Sequence, residues 1–211
     1  MILIRVIDSH TGGEPTRLVM EGGPELGEGP LSERLTRFRE RFDTYRSAIV
    51  SEPRGSQTMV GALLCTPHRP DCRFGALFFD NVGYPAMCGH GTIGLVASLA
   101  HAGLIAPGSI KIDTPVGPVN SELHPSGTSA QLACLAADGK LAENEPWVQE
   151  SITGSTFSAR YRWLDAATGE IVPFITGTAH ITAEAMLRLD PNDRFAGASV
   201  TAHRLNPKRR N

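Results

Sequence analysis

The sequence predicts an α/β fold, of the α+β kind, built from two similar halves. Short apolar or alternating runs are typical of strands, and 22 glycines and 15 prolines favour many turns between them. Two Ala/Leu-rich runs, 91–103 and 127–139, have the composition of buried helices. Each run begins Gly-Thr and reaches a glycine twelve positions later, which indicates a weak internal repeat and hence two related halves.

The predicted elements follow one another in a regular order. Residues 2–7 form an opening strand, 8–15 a glycine-rich polar loop, and 16–20 a second strand. An amphipathic helix is predicted over 31–47, with apolar residues at helical spacing: Leu35, Phe38, Phe42 and Tyr45. Helices are also predicted at 91–101 and 130–137. Strands are expected at 49–50, 58–65, 75–79, 109–119, 147–153, 156–163, 171–175 and 178–182.

Composition narrows the class of function. The formal net charge of −2 favours neither nucleic acid nor an anionic membrane, and the basic tail 208–210 neutralises too few phosphates to change that. No opening signal peptide and no apolar run long enough to span a membrane is present, so we expect a cytoplasmic protein with free thiols. Cys65, His68 and Cys72 have the wrong spacing for a zinc knuckle, so no metal is predicted.

Cys88 is the strongest candidate for chemistry. It directly precedes an apolar helix, where the helix dipole and unpaired N–H groups favour a thiolate. Gly89 and Gly91 allow close approach of a ligand carboxylate to the backbone, and His90 adds a polar group. This arrangement suits an amino acid whose Cα–H faces the sulfur. The alternative is that Cys88 packs as a small hydrophobe, and the residues alone leave that alternative open.

Other polar residues carry weaker predictions. Asp8, His10 and Glu14 form either a polar site or a set of turn-stabilising groups. Cys134 lies in an apolar run and is expected to pack. The chain has no phosphate-binding loop with lysine and no G-x-S-x-G elbow, which argues against nucleotide binding by such a loop and against serine hydrolysis.

Several motifs resemble those of the proline racemase family, most closely its bacterial 4-hydroxyproline epimerase branch. They are Asp-Ser-His-Thr-Gly-Gly-Glu-Pro-Thr-Arg at 8–17, Ser-Glu-Pro-Arg-Gly at 51–55, Met-Cys-Gly-His-Gly-Thr-Ile-Gly at 87–94, Asp-Thr-Pro-Val-Gly at 113–117, and the stretches 133–141 and 149–155. The resemblance implies a diaminopimelate-epimerase-like fold, in which each half is a sheet or barrel around a central helix. It also implies cofactor-free inversion at Cα, in which Cys88 is one of two opposed thiols.

The resemblance breaks between Glu122 and Gly127. The family's second thiol motif, Cys-Gly-Thr-Gly-Thr-Ser-Ala, is matched only by Gly127, Thr128 and the Ser-Ala that follows them, so the second thiol has no counterpart. The family's central block is also missing. We therefore divide the chain into a first half, 1–122, and an incomplete second half, 123–211, that keeps the 130–137 helix and the final strands.

The resemblance implies epimerisation of 4-hydroxyproline, with Cys88 catalytic and with Gly89, His90, Gly127 and Thr128 binding the substrate. Loss of the second thiol leaves two alternatives open: a non-catalytic remnant that binds a proline-like ligand or acts as an oligomer, and a hydroxyproline dehydratase relative. The expected partner is a small amino acid. Because an incomplete half leaves apolar surface uncovered, a homo-oligomer is also predicted.

Overall fold

The computed structural model describes residues 1–124, 129–132, 143–150, 156–165 and 170–193. Within them the chain forms ten strands and three helices. In order they are β1 (Ile2–Thr11), β2 (Glu14–Glu21), α1 (Leu31–Arg41), α2 (Asp43–Val50), β3 (Val60–Cys65), β4 (Phe74–Phe79), α3 (Gly89–His101), β5 (Gly108–Thr114), β6 (Gly117–Leu123), β7 (Ser129–Leu132), β8 (Trp147–Glu150), β9 (Thr156–Asp165) and β10 (Glu170–Leu189).

Eight of the strands close into a barrel around α3. The sheet order is β1-β2-β3-β4-β5-β6-β7-β10, and β10 also pairs with β1, which closes the ring. This closure is antiparallel and runs from Ile2 opposite Leu189 to Thr11 opposite Ala179. Helix α3 packs against β1, β2, β3, β6, β7 and β10. The described chain therefore forms one complete barrel with one central helix.

Side chains of the barrel strands alternate between two apolar cores. The inner core surrounds α3 and includes Leu18, Phe78 and Ile93. The outer core lies beneath α1 and α2 and includes Val19, Phe38 and Phe79. Neighbours such as Leu18 and Val19 enter different cores because successive strand residues point to opposite faces. This two-sided burial is why several strands are apolar almost throughout.

The structure corrects several predicted elements. The strands predicted at 171–175 and 178–182 are the single strand β10, and most of the loop predicted at 8–15 belongs to β1 and β2. The helix predicted at 31–47 is two helices, because the backbone of Phe42 leaves helical geometry (φ −132°, ψ 25°) and turns the chain over the outer core. The strand predicted at 49–50 is the end of α2. The helix predicted at 130–137 is wrong at its start, since residues 129–132 are β7; residues 133–137 lie outside the described residues. Pairing of β7 with both β6 and β10 satisfies its backbone, which overrides the helical preference of Ala and Leu.

One long strand links the barrel to a three-stranded arm. β10 pairs in turn with β9, β7 and β1, and β9 pairs with β8. We call β8, β9 and residues 170–176 of β10 the arm. The arm exposes the large apolar side chains of Val148, Trp163 and Leu164. Among the helices that the structure describes, none has the length and apolar character needed to cross a membrane.

Candidate functional site

Cys88 caps the N-terminus of α3 at one end of the barrel. Its backbone is extended (φ −140°, ψ 120°), and its carbonyl oxygen accepts hydrogen bonds from the backbone N–H of Thr92 at 2.9 Å and from the Thr92 hydroxyl at 2.8 Å. The apolar, small-residue sequence that follows makes the helix, and the barrel buries it on all sides. The fold thus places the thiol at the helix start, where backbone N–H groups have no intrahelical partner.

Burial acts against ionisation of the Cys88 thiol. Removal from water raises its pKa, and the carboxylates of Asp80 and Glu14 raise it further. The nearby backbone N–H of Gly91 opposes this effect but does not outweigh it. The sequence predicted a thiolate favoured by the helix dipole. In the structure the barrel wall desolvates the sulfur more than the helix start stabilises its charge, so the resting group at neutral pH is a thiol.

The imidazole of His90 lies beside this thiol. Its Nδ1 is 3.5 Å and its Nε2 3.9 Å from the Cys88 Sγ. Burial lowers the pKa of His90, and Glu14 only partly offsets the effect, so the ring is neutral at pH 7. A neutral imidazole next to a protonated thiol can accept its proton. The start of α3 therefore brings a thiol and a neutral imidazole within hydrogen-bonding reach of each other.

The hairpin between β1 and β2 supports this helix start. The buried hydroxyl of Thr11 donates a hydrogen bond to the carbonyl oxygen of His90 at 3.1 Å. No role for Thr11 was predicted from the sequence, although its position inside the 8–17 motif could have indicated one. The structure does not bring Asp8, His10 and Glu14 together as one site. The Glu14 carboxylate raises the pKa of the Cys88 thiol, whereas Asp8 pairs with Arg17. His10 accepts a hydrogen bond from the Gly13 N–H at 3.2 Å.

Asp8 and Arg17 form a bidentate ion pair on the outer face of the barrel. Both contacts are 2.7 Å long, and the Arg17 side chain is only 7% exposed. The same guanidinium donates to the carbonyl oxygens of Ile49, at 2.8 Å, and Arg54. Two of the sequence motifs, 8–17 and 51–55, are thus joined through this one side chain. Its contacts are structural and involve neither Cys88 nor His90.

Two predicted substrate-binding residues, Gly127 and Thr128, lie outside the described residues, as does Cys134. His124 follows β6 directly and is partly buried. Within the described ranges, three or more His, Cys, Asp or Glu side chains nowhere gather in a way that could hold a metal ion. The geometry that can be described is therefore that of the first predicted half-site: Gly89, His90 and Cys88.

Comparison with known proteins gives a consistent assignment. The sequence matches the proline racemase family over residues 6–126 and 124–198. It is 38% identical to a 4-hydroxyproline 2-epimerase of Pseudomonas aeruginosa, over 92% of this chain and 98% of that protein. The crystal structure of a hydroxyproline epimerase from Agrobacterium vitis with bound trans-4-hydroxy-L-proline superimposes with a TM-score of 0.85, at 14% identity and 95% coverage of both chains. A probable proline racemase from Agrobacterium radiobacter with bound carbonate gives 0.82, at 15% identity, with 92% of this chain and 96% of that chain covered.

These likenesses confirm the predicted fold class and the predicted break. The alignment with the Pseudomonas protein runs over 306 positions, but this chain has 211 residues, so at least 95 positions have no residue here. The family match is likewise split into two pieces that meet at 124–126, inside the predicted discontinuity between Glu122 and Gly127. The missing block is internal, and it falls between β6 and β7.

Proposed function

This chain belongs to the proline racemase family, and from that premise we propose that it binds 4-hydroxyproline and moves the proton on its Cα through the thiol of Cys88. The observation that carries the proposal is the placement of Cys88 at the N-terminus of a buried helix, 3.5 Å from the His90 ring. The family match and the named relatives, which are 4-hydroxyproline epimerases, support the substrate class. The reaction needs no cofactor in this proposal.

The substrate carboxylate binds at the start of α3. The Cys88 carbonyl already accepts the Thr92 N–H, but the N–H groups of Gly89, His90 and Gly91 precede the first intrahelical bond. These groups, at the positive end of the helix dipole, are suited to a carboxylate. They also stabilise the extra negative charge that the carboxylate gains when Cα loses its proton. Gly127 and Thr128 are assigned the same role from the second half.

Proton removal requires the thiolate of Cys88. Because its pKa is raised, most of the protein carries a thiol at neutral pH, and His90 provides the neutral base that can take this proton. The thiolate then removes the Cα proton from one face. Inversion also needs an acid on the opposite face, and the family's second thiol has no counterpart in this sequence. We therefore propose that the protein mainly exchanges the Cα proton with solvent at one face of Cα. Inversion of the configuration at Cα is absent or very slow.

Proton NMR in D₂O tests this proposal directly. Both 4-hydroxyproline epimers are incubated with the wild type, with Cys88→Ser and with Cys72→Ser, which removes a different thiol as a control. We expect slow loss of the Cα–H signal for one epimer, with retained configuration, in the wild type and in Cys72→Ser but not in Cys88→Ser. Exchange that persists in Cys88→Ser would exclude the thiol. Rapid interconversion of the epimers by the wild type would show that another group supplies the second proton.

A second function is favoured by the missing block, namely a remnant that binds a proline-like ligand without catalysis. At least 95 aligned positions have no residue here, and the family's second thiol has no counterpart in this sequence. Calorimetry with pyrrole-2-carboxylate, a flat mimic of the carbanion, tests this alternative in a sample shown to be folded by circular dichroism. Binding without any Cα–H exchange would favour the remnant, whereas exchange of the Cα–H would exclude it.

We further propose that the protein is cytoplasmic and self-associates. The three described cysteines, Cys65, Cys72 and Cys88, are free thiols, which supports a reducing compartment. The arm carries exposed apolar side chains and ends in β8, whose outer edge pairs with no other strand among the described residues. Such edges and apolar surfaces are commonly covered by association.

A further inference from the structure

A pocket lies between the β1–β2 hairpin and the arm. Its volume is about 460 Å³, and its lining includes His10, Gly13, Ser158, Thr176, Thr178 and His180 but neither Cys88 nor His90. His10 and His180 are direct cross-strand partners in the pairing that closes the barrel. Since Thr11, the next residue after His10, points inward to His90, strand alternation places His10 on the outer face. This pocket is therefore separate from the thiol site.

The lining is rich in hydrogen-bond donors. The backbone N–H of Gly13 donates to Nδ1 of His10, which makes Nδ1 an acceptor and leaves the Nε2–H of the neutral ring as a donor. The ring of His180 lies next to it, with the centroids 5.3 Å apart. Hydroxyls of Ser158, Thr176 and Thr178 complete the wall, and none of the described lining residues is acidic. Such a pocket suits an acceptor-rich, negatively charged group.

Two arginines lie next to the pocket on the arm. Ser158, Arg160 and Arg162 alternate along β9 and so share one face, and Ser158 is opposite Thr176 of β10. Arg160 is opposite Phe174, and its guanidinium lies over the Phe174 ring at 5.6 Å from the ring centroid. This contact gives the long side chain a defined place two residues from Ser158, which is about 7 Å along a strand. A ligand seated among the hydroxyls thus has a cation beside it.

We propose that this pocket binds a small molecule through a carboxylate or phosphate group, with His10, His180 and the three hydroxyls as donors and Arg160 as the neighbouring charge. Imidazole N–H groups, hydroxyls and guanidinium are the side-chain donors that bind oxyanions in proteins. The proposal is independent of the chemistry assigned to Cys88. It also gives a role to two histidines and to a part of the arm that the epimerase proposal does not use.

The test is a titration followed by the imidazole C–H signals in NMR. The full chain is titrated separately with inorganic phosphate and with succinate, and with sodium chloride at matched ionic strength. We expect saturable shifts of the His10 and His180 signals with at least one of the two anions, and none with chloride. His101, which lies at the far end of α3 with its Nε2 2.7 Å from Glu184, should not move. Saturation by phosphate alone or by succinate alone identifies the group that is recognised.

Variants make the assignment specific. His180→Gln and Arg160→Gln should each raise the dissociation constant of the anion at least fivefold. The control His101→Gln should leave it within twofold of the wild-type value. Thr176→Val removes one hydroxyl while keeping the side-chain shape, and serves if His180→Gln does not fold. Shifts that do not saturate with either anion, or an unchanged dissociation constant in both His180→Gln and Thr176→Val, would overturn the proposal.

Discussion

Replacement of Asp8 by asparagine should destabilise the barrel strongly without touching the thiol. Asp8 holds the buried guanidinium of Arg17 through two contacts of 2.7 Å. In Asp8→Asn the charge of Arg17, whose side chain is 7% exposed, loses its counter-ion while its carbonyl partners at Ile49 and Arg54 remain. Removal of one partner from a buried pair costs about 3 to 5 kcal/mol, and because this pair is partly accessible we take about 3 kcal/mol.

The expected loss is measurable by thermal unfolding. For a chain of this size, about 3 kcal/mol lowers Tm by roughly 6 to 12 °C, followed by far-ultraviolet circular dichroism. The exposed pair of Lys111 and Asp71 supplies the control, and Asp71→Asn should leave Tm unchanged. Adding Arg17→Met to Asp8→Asn should recover part of the loss, because no charge is then left buried alone. A Tm within about 2 °C of the wild type for Asp8→Asn would refute a structural role for this motif.

Further outcomes follow from the same structure. The rate of Cys88 alkylation, mapped by mass spectrometry, should rise about tenfold per pH unit from pH 7 to 9, since its pKa is raised; a plateau below pH 8 would contradict this. Burial raises the pKa of the Cys65 thiol from 9.0 in the unfolded chain to about 11 in the folded protein. Because the unfolded chain loses this proton at lower pH, the free energy of unfolding should fall by about 2 kcal/mol between pH 9 and 11. The fall should be smaller in Cys65→Ala, which lacks the thiol. In Gly94→Ala the new methyl would lie 2.8 Å from the hydroxyl of Ser9 and 2.9 Å from that of Thr16. The free energy of unfolding should therefore fall by about 1 to 2 kcal/mol. An unchanged Tm would show that the β1–β2 hairpin shifts to make room for the methyl. Sedimentation should show self-association through the arm, and a monomer at high protein concentration would argue against it.

The central helix and its thiol were predictable from the sequence because their signal is local. A glycine-rich turn followed by small apolar residues defines α3, and Cys88 directly precedes it. The charge state of the thiol was not predictable. It depends on strands of the barrel wall and on Glu14 and Asp80, and their distance from the sulfur is fixed only by the closed sheet.

Closure of the barrel was beyond sequence reasoning for a similar reason. β1 and β10 are at opposite ends of the described chain, and no local pattern specifies that Ile2 pairs with Leu189. The start of the helix predicted at 130–137 was wrong on the same ground. Its Ala/Leu-rich composition is helical in isolation, but residues 129–132 lie between β6 and β10, whose backbone groups they pair.

The position of the missing block explains how the fold can persist even if the chemistry is reduced as proposed. The break at 124–126 lies between β6 and β7, which are neighbours in the sheet, so a short connection replaces the absent block without opening the barrel. Stability therefore depends on elements that are all present: the β1–β10 closure and the α3 core. In the proposed mechanism, inversion depends on a second proton donor, which has no counterpart in this sequence. The two properties should separate in experiment, because substitutions at Asp8 change unfolding, whereas those at Cys88 change exchange at Cα.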